Sequence, residues 1–470
     1  MDLTPTFSSD GSADGVAVKY VATGVQNGQT LSLAFDAMPT PLVRTTDVIT
    51  DLQVSDASGA LSMNAPVKKH DGSHDYQVWE SSRAANGAIT VSYRVPVASR
   101  DRKRGPQEDL QQAGKGISGA YISFLLLPML PDAHYDAQVH WHMREGERAV
   151  TSYGVNDYRG TFTTGNFGDT LFLAGKVLEF SPEKSGPDHG MHVYTLGMPA
   201  DDFADLGQWA AKAYAAERTA FKTKGDLPYR FMVRSFDGGG TYSGRGGHSS
   251  FLLYMRPGYD AGDKALRRVV AHEMVHSLTG MLRGDSADDS DDWYAEGIAD
   301  YFSLVIPYSA DLYTHQEYLD LVRKESDAYY SSPDRSIPNS AIADVMWRSP
   351  KGWLIPYTRG ALYFADLNAK LEQHGLKIGA IDLVNELSDI VESGKTTSAD
   401  TWVDILRRRA GAWAVTDWRA MMAGSVIFPA PNAFGACLRG ARSDIVAGEQ
   451  GSHVAGMAWK LDCGAAGDAR

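Results

Sequence analysis

Residues 271–280 read Ala271-His272-Glu273-Met274-Val275-His276-Ser277-Leu278-Thr279-Gly280. They close a stretch, 264–278, whose periodicity predicts a helix stopped by Gly280. On that helix His272 and His276 are four residues apart. They therefore stand one above the other on one face, with Cβ atoms about 5–6 Å apart. This spacing lets two imidazoles grip one zinc ion. Glu273 points beside such a metal and can reach its water without being a ligand. In a chain with 13 histidines, the pattern has a chance expectation of only about 0.02, which favours a metal site. The alternative is a helix with two core or surface histidines.

Working downstream, a second helix is expected from the Asp291-Asp292 turn, with these acids as its N-cap, to about 305, before Pro307. It carries Glu296. A catalytic zinc site wants three protein ligands and an open fourth position. His272, His276 and Glu296 meet that need, so the expected cofactor is one Zn²⁺ ion. Asp300, one turn after Glu296, can accept a hydrogen bond from the far nitrogen of a ligating histidine and fix its tautomer. It can also be an ordinary exposed carboxylate.

Upstream, residues 1–200 read as β structure. Stretches 15–22, 31–35, 76–80, 88–97, 120–127 and 170–180 are rich in β-branched and aromatic residues. Turn signals such as Asn27-Gly28 and Asn86-Gly87 separate them. A sandwich or an open twisted sheet is expected. An alanine-rich helix follows at 203–221, then a strand at 229–235, a glycine-rich loop at 237–247 and a strand at 249–255. Further helices are expected at 311–329, 357–373, 381–392 and 399–414. The tail from 429 reads as irregular, with a final pair of strands.

The bulk properties bound the function. A length of 470 residues suggests two to four domains at roughly 150 residues each. The 43% hydrophobic and 22% charged content is ordinary for a globular chain. A net charge of −13 argues against a nucleic-acid partner, since phosphate binding needs a basic surface. No apolar run approaches the ~20 residues of a membrane span. The first residues lack the basic and apolar regions of a signal peptide. The expected location is periplasmic or secreted with the signal removed, or else cytoplasmic. Cys437 and Cys463 can close a disulfide or be unrelated thiols.

The motif order resembles a known family. His-Glu-x-x-His followed by a Glu-Gly helix (Glu296-Gly297) is similar to the gluzincin peptidases, which include thermolysin. The flanks resemble the glycyl aminopeptidases, which often carry a PDZ domain, and the related large zinc aminopeptidases. Ile355-Pro356-Tyr357-Thr358-Arg359-Gly360 resembles their Pro-Tyr-x-Lys-Gly motif. No PDZ-like segment is evident in the tail.

The resemblance implies an α+β multidomain chain. It would have an N-terminal β-sandwich-like domain (1–200), a thermolysin-like zinc catalytic domain (201–310), a C-terminal α-helical domain (311–428) and an irregular tail (429–470). It implies a peptide substrate, bound across the cleft between the β and helical domains. It also implies Tyr357 as donor to the oxyanion; the alternative is a core tyrosine at a helix start. Aminopeptidases of this kind hold the substrate's ammonium with a glutamate in a glycine-rich stretch before the zinc helix. The matching residues here are Gly246, Gly247 and His248, and no Glu occurs between Asp226 and His272. Endopeptidase action is thus the alternative, and a non-catalytic peptide-binding protein with a vestigial zinc site is a second one. The strand at 249–255 can still bind a peptide by edge pairing.

Three other features are weaker. His140 and His142 share a strand face that could bind metal. The acidic run 285–292 could bind calcium, although a solvated turn and helix cap is the simpler reading. The basic loop 100–106 reads as solvated.

Overall fold

The computed structural model describes all residues except 26–27, 37–48, 72–73, 98–108, 130–133, 183–189, 226–227, 236–241, 257, 281, 283–290, 347–348, 436, 448–451 and 464–470. The basic loop 100–106, the first part of the glycine-rich loop (237–241) and the acidic residues 285–290 lie outside the described residues. The chain is multidomain and mixed, with β-sheets toward its N-terminus and helices toward its C-terminus. It folds as two compact units, residues 1–208 with 226–263 and residues 209–225 with 264–470. The segment 201–310 is therefore shared between them.

Unit 1 is built of sheets. Among the described residues, a seven-stranded sheet centres on Asp2–Phe7, Ala13–Ala22 and Ile89–Pro96, and a four-stranded sheet on Thr30–Asp36 and His74–Ala84. Along Ile89–Pro96, buried and half-buried residues alternate, as one face of a pleated strand turned to a core requires. Leu3, Val16, Val91, Leu33, Phe35 and Phe172 meet in that core, which makes the arrangement sandwich-like.

Two expected strands are broken. The stretch 120–127 is interrupted by a 3₁₀ turn at Tyr121–Ser123, and 170–180 divides into Leu171–Gly175 and Leu178–Phe180. Tyr121 sits in that 3₁₀ turn, fully buried, and accepts a hydrogen bond from the Trp141 indole at 2.8 Å.

A mixed sheet completes unit 1. Met191–Leu196, Tyr229–Ser235 and Ser250–Met255 run parallel, with Tyr242–Gly247 antiparallel on the outside. Half of the expected glycine-rich loop is thus a strand. It folds back through a tight turn at His248-Ser249, where Ser249 takes φ of 42°. Consequently Ser250–Met255 is flanked on both sides, and the outer strand is Tyr242–Gly247. The edge expected at 249–255 lies one strand further out.

The helices, in chain order, are α1 (Thr164–Gly168), α2 (Ala204–Ala220), α3 (Lys264–Leu278), α4 (Asp292–Ser309), α5 (His315–Tyr330), α6 (Ala343–Met346), α7 (Pro350–Trp353), α8 (Ile355–Gln373), α9 (Ala380–Glu392), α10 (Ala399–Arg409) and α11 (Ala412–Met422). Several ends differ from expectation. α4 continues through Pro307 to Ser309, because the missing N–H falls in its last turn and forfeits a single hydrogen bond. Asp291 makes no side-chain cap to α4. α5 starts at His315, behind a Thr314–Glu317 capping box. The helix expected at 399–414 breaks at Gly411, whose φ of 107° suits glycine.

In unit 2, α4 is buried nearly all round. Trp293 and Tyr294 pack against Phe364 of α8, and Tyr294 against Trp402 of α10. α4 and α8 cross with their backbones touching. A Cβ on Gly360 would lie 2.1 Å from the Trp293 carbonyl oxygen and 2.5 Å from the Gly297 Cα. The tail is an antiparallel hairpin, Leu438–Ala447 with Ser452–Leu461. Among the described residues, no helix is long and apolar enough to cross a membrane.

Candidate metal centre

α3 buries Leu266, Val270 and Met274, one turn apart, together with Ala271 and Val275. That stripe fixes the rotation of the helix, and His272 and His276 then face α4. The donor atoms converge. His272 Nε2 lies 3.1 Å from Glu296 Oε2, His276 Nε2 lies 3.3 Å from the same oxygen, and the two Nε2 atoms are 3.0 Å apart. An ion bound tetrahedrally at about 2.0–2.2 Å holds its ligand atoms roughly 3.3–3.6 Å apart. Two imidazole nitrogens and a carboxylate oxygen at this spacing fit a zinc ion.

Behind the donors lies a charge relay of buried groups. His272 Nδ1 is 2.8 Å from Asp300 Oδ1. Arg268 Nη2 is 3.1 Å from the same oxygen and is also paired with Glu325. Burial raises the Asp300 pKa, but Arg268 foremost, and then His272, pull it below the usual carboxylate range. Glu325 goes the other way. Burial, helped by the Asp300 charge, pushes it up to about 7 despite Arg268. One guanidinium thus sustains one firm carboxylate, and the one it favours is in contact with His272. Burial opposes a charge on His272, yet Asp300 and Glu296 outweigh it and raise its pKa well above the ordinary imidazole value. Glu296 is likewise raised by burial and lowered overall, by His276 first.

Tyr357 sits in the first turn of α8, after Pro356, whose fixed φ suits a helix start. Its ring lies 5.8 Å from that of His272, at 17°. Burial, and then the charges of Glu296, Asp300 and Glu273, keep its phenol protonated far above neutral pH. Glu273 is half-buried on α3 and close enough to contribute to that shift. His272, His276, Glu296, Asp300, Glu273 and Tyr357 therefore share one locality of unit 2.

The remaining residues singled out from the sequence lie elsewhere. Gly246 and Gly247 end the outer strand of the mixed sheet in unit 1. His248, in the following turn, is exposed and stacks on Tyr153 with ring centroids 4.9 Å apart. His140 and His142 pair with separate carboxylates, Asp157 at 3.4 Å and Asp2 at 2.8 Å. They join no group of three metal-capable side chains among the described residues.

Sequence reasoning missed Glu217 on α2. It is fully buried, and neither carboxyl oxygen has a hydrogen-bond partner among the described residues. Burial pushes its pKa well above the carboxylate range, against the pull of His272. A signal existed: Ala210, Ala213, Glu217 and Phe221 fall on one buried stripe, and a lone acid on an apolar helical face is unusual.

No protein-family model and no curated protein matches the sequence. Solved structures do match it. An aminopeptidase N family protein from Idiomarina loihiensis aligns with a TM-score of 0.72 at 15% identity, over 95% of this chain and 79% of that one. The chain shares its fold. An M1 zinc metallopeptidase from Deinococcus radiodurans, in a mutant bound to a Tyr-Ser-Ala substrate, aligns with a TM-score of 0.56 at 16% identity, over 91% and 94% of the two chains. Leukotriene A4 hydrolase from Saccharomyces cerevisiae gives 0.54 at 13% identity, over 91% and 67%.

Proposed function

We propose that this chain is a zinc-dependent peptidase of aminopeptidase type. The observation that supports it best is the convergence of His272 Nε2, His276 Nε2 and Glu296 Oε2 within 3.3 Å of one another, beside a partly buried tyrosine. The fold, shared with a structure described as an aminopeptidase N family protein and with a zinc metallopeptidase holding a tripeptide, points the same way.

His272, His276 and Glu296 would hold the zinc ion. Bound there, it would polarise the scissile carbonyl and lower the pKa of a water molecule. Asp300 holds His272 by Nδ1, which turns Nε2 toward the metal position. Arg268 keeps Asp300 ionised for that task. Glu273 takes the proton from the attacking water and later delivers it to the leaving amine. Tyr357, kept neutral, donates a hydrogen bond to the carbonyl oxygen as negative charge grows on it. That interaction is stronger in the transition state than in the ground state, so it accelerates the step. Gly246, Gly247 and His248 are assigned to substrate binding.

A second reading is endopeptidase action. It is favoured by one feature, the lack of a glutamate along 242–255, where a ligand for the substrate ammonium is expected. One experiment tests both readings. A peptide library with free and acetylated N-termini is digested, with and without a zinc chelator, and the products are read by mass spectrometry. Chelator-sensitive trimming of free N-termini is expected. Cleavage of blocked peptides at interior bonds would replace the first reading by the second, and no cleavage of either set would remove both.

A further inference from the structure

We propose that His315, Cys437 and Cys463 form a second metal site, for a thiophilic divalent cation such as Zn²⁺, at the base of the C-terminal hairpin. A ligand nitrogen of His315 and both Sγ atoms lie within 4.8 Å of one another. No disulfide joins the two cysteines, and the Cys463 thiol donates to the Cys437 carbonyl oxygen at 3.7 Å. The hairpin register explains this. Leu438 faces Leu461, and the Asp462 amide donates to the Cys437 carbonyl at 2.9 Å. Cys463 therefore sits one residue past the position opposite Cys437.

A disulfide would use the two sulfurs alone. A metal uses all three. His315 is buried, and Tyr308 Oη lies 2.7 Å from its Nδ1. Tyr308 is itself fixed by stacking on Tyr318, with centroids 3.9 Å apart. An imidazole held by one nitrogen presents the other in a set direction, as ligating histidines do. Nε2 is then the nitrogen a metal would take. Two thiolates and an imidazole are donors that suit zinc.

The site has a structural task. The hairpin lies along α5. Trp459 Nε1 donates to Ser326 Oγ at 2.8 Å, and Arg323 Nη2 donates to the Trp459 carbonyl at 2.8 Å. A metal at the first turn of α5 clamps the open end of the hairpin, beyond those contacts. It also braces the helix that carries Glu325.

Metal analysis of the whole chain, purified under reducing conditions with zinc present, tests this. About two zinc ions per chain are expected, falling to about one in the double variant Cys437→Ser/Cys463→Ser, with peptide cleavage retained. The His272→Ala/His276→Ala variant should lose the other ion and keep this one. The two sites can therefore fail independently. Should the cysteine variant not fold, iodoacetamide labelling of the wild type decides. Thiols protected until a chelator is added support the site. Freely labelled thiols in the presence of zinc overturn it. An intact mass lower by two hydrogens, with unreactive cysteines, overturns it in favour of a disulfide.

Discussion

The metal donors of unit 2 and the glycine-rich hairpin 242–255 of unit 1 are held in opposite ways. The donors stand on α3 and α4, and the α4 backbone touches that of α8 at Gly297 and Gly360, with a line of buried charges behind them. The hairpin's outer strand, Tyr242–Gly247, is paired on one side and carries three glycines. Catalysis needs groups held within a fraction of an ångström, whereas an outer strand can receive a variable extended chain through its backbone. On the proposed function, rigid chemistry and adaptable recognition would fall on different kinds of element.

Each half of this contrast can be broken. The largest effect is expected for Glu273→Gln, with kcat falling on the order of 10²–10⁴-fold while zinc content stays intact. Metal analysis and peptide cleavage on one sample check this, and unchanged cleavage would remove Glu273 from the chemistry. For Tyr357→Phe, a kcat loss of about 10²–10³-fold with little change in KM is expected. An unaltered kcat would reduce Tyr357 to a packing residue.

Gly360→Ala probes the helix crossing. Its Cβ has no room beside Trp293 and Gly297, so a stability loss of about 1–3 kcal/mol and weaker zinc binding are expected together. Denaturant unfolding with metal titration reads both. Native values would show that the crossing does not set the donor spacing.

Glu325 probes the charges behind it. Its pKa is raised in the fold, from 4.5 to about 7. The proton it retains stabilises the fold below about pH 4.5, and that contribution is lost as pH rises through about 7. Glu325→Gln keeps a neutral side chain throughout. The melting temperature of the variant relative to wild type should therefore climb between pH 5 and pH 8; a constant difference would contradict the shift. The smallest effect belongs to the hairpin. His248→Ala should raise KM a few-fold and leave kcat alone, and steady-state kinetics with equal KM would detach the hairpin from substrate binding.

How much could be read beforehand follows from this same division. Helical spacing is local, so His272, Glu273 and His276 and the bounds of α3 were readable from the residues themselves. Strand neighbours are chosen over long distances. The outer place of Tyr242–Gly247, rather than 249–255, depended on a turn at His248-Ser249 that carries no strong turn signal. Glu217 was hidden for a related reason: a carboxylate on an alanine-rich stripe gains meaning only when the stripe is known to be buried beside His272.

The order of residues alone determined which side chains can bind a metal and that two of them share a helix face, because a turn of 3.6 residues needs no partner to define it. Tertiary packing decided the rest. It brought Glu296 to those histidines by packing α4 on α3, brought Tyr357 beside them through the Gly297–Gly360 crossing, set Arg268 between Asp300 and Glu325, and gathered His315 with two cysteines more than a hundred residues away. Such meetings depend on which faces bury together, and burial is a property of the whole chain.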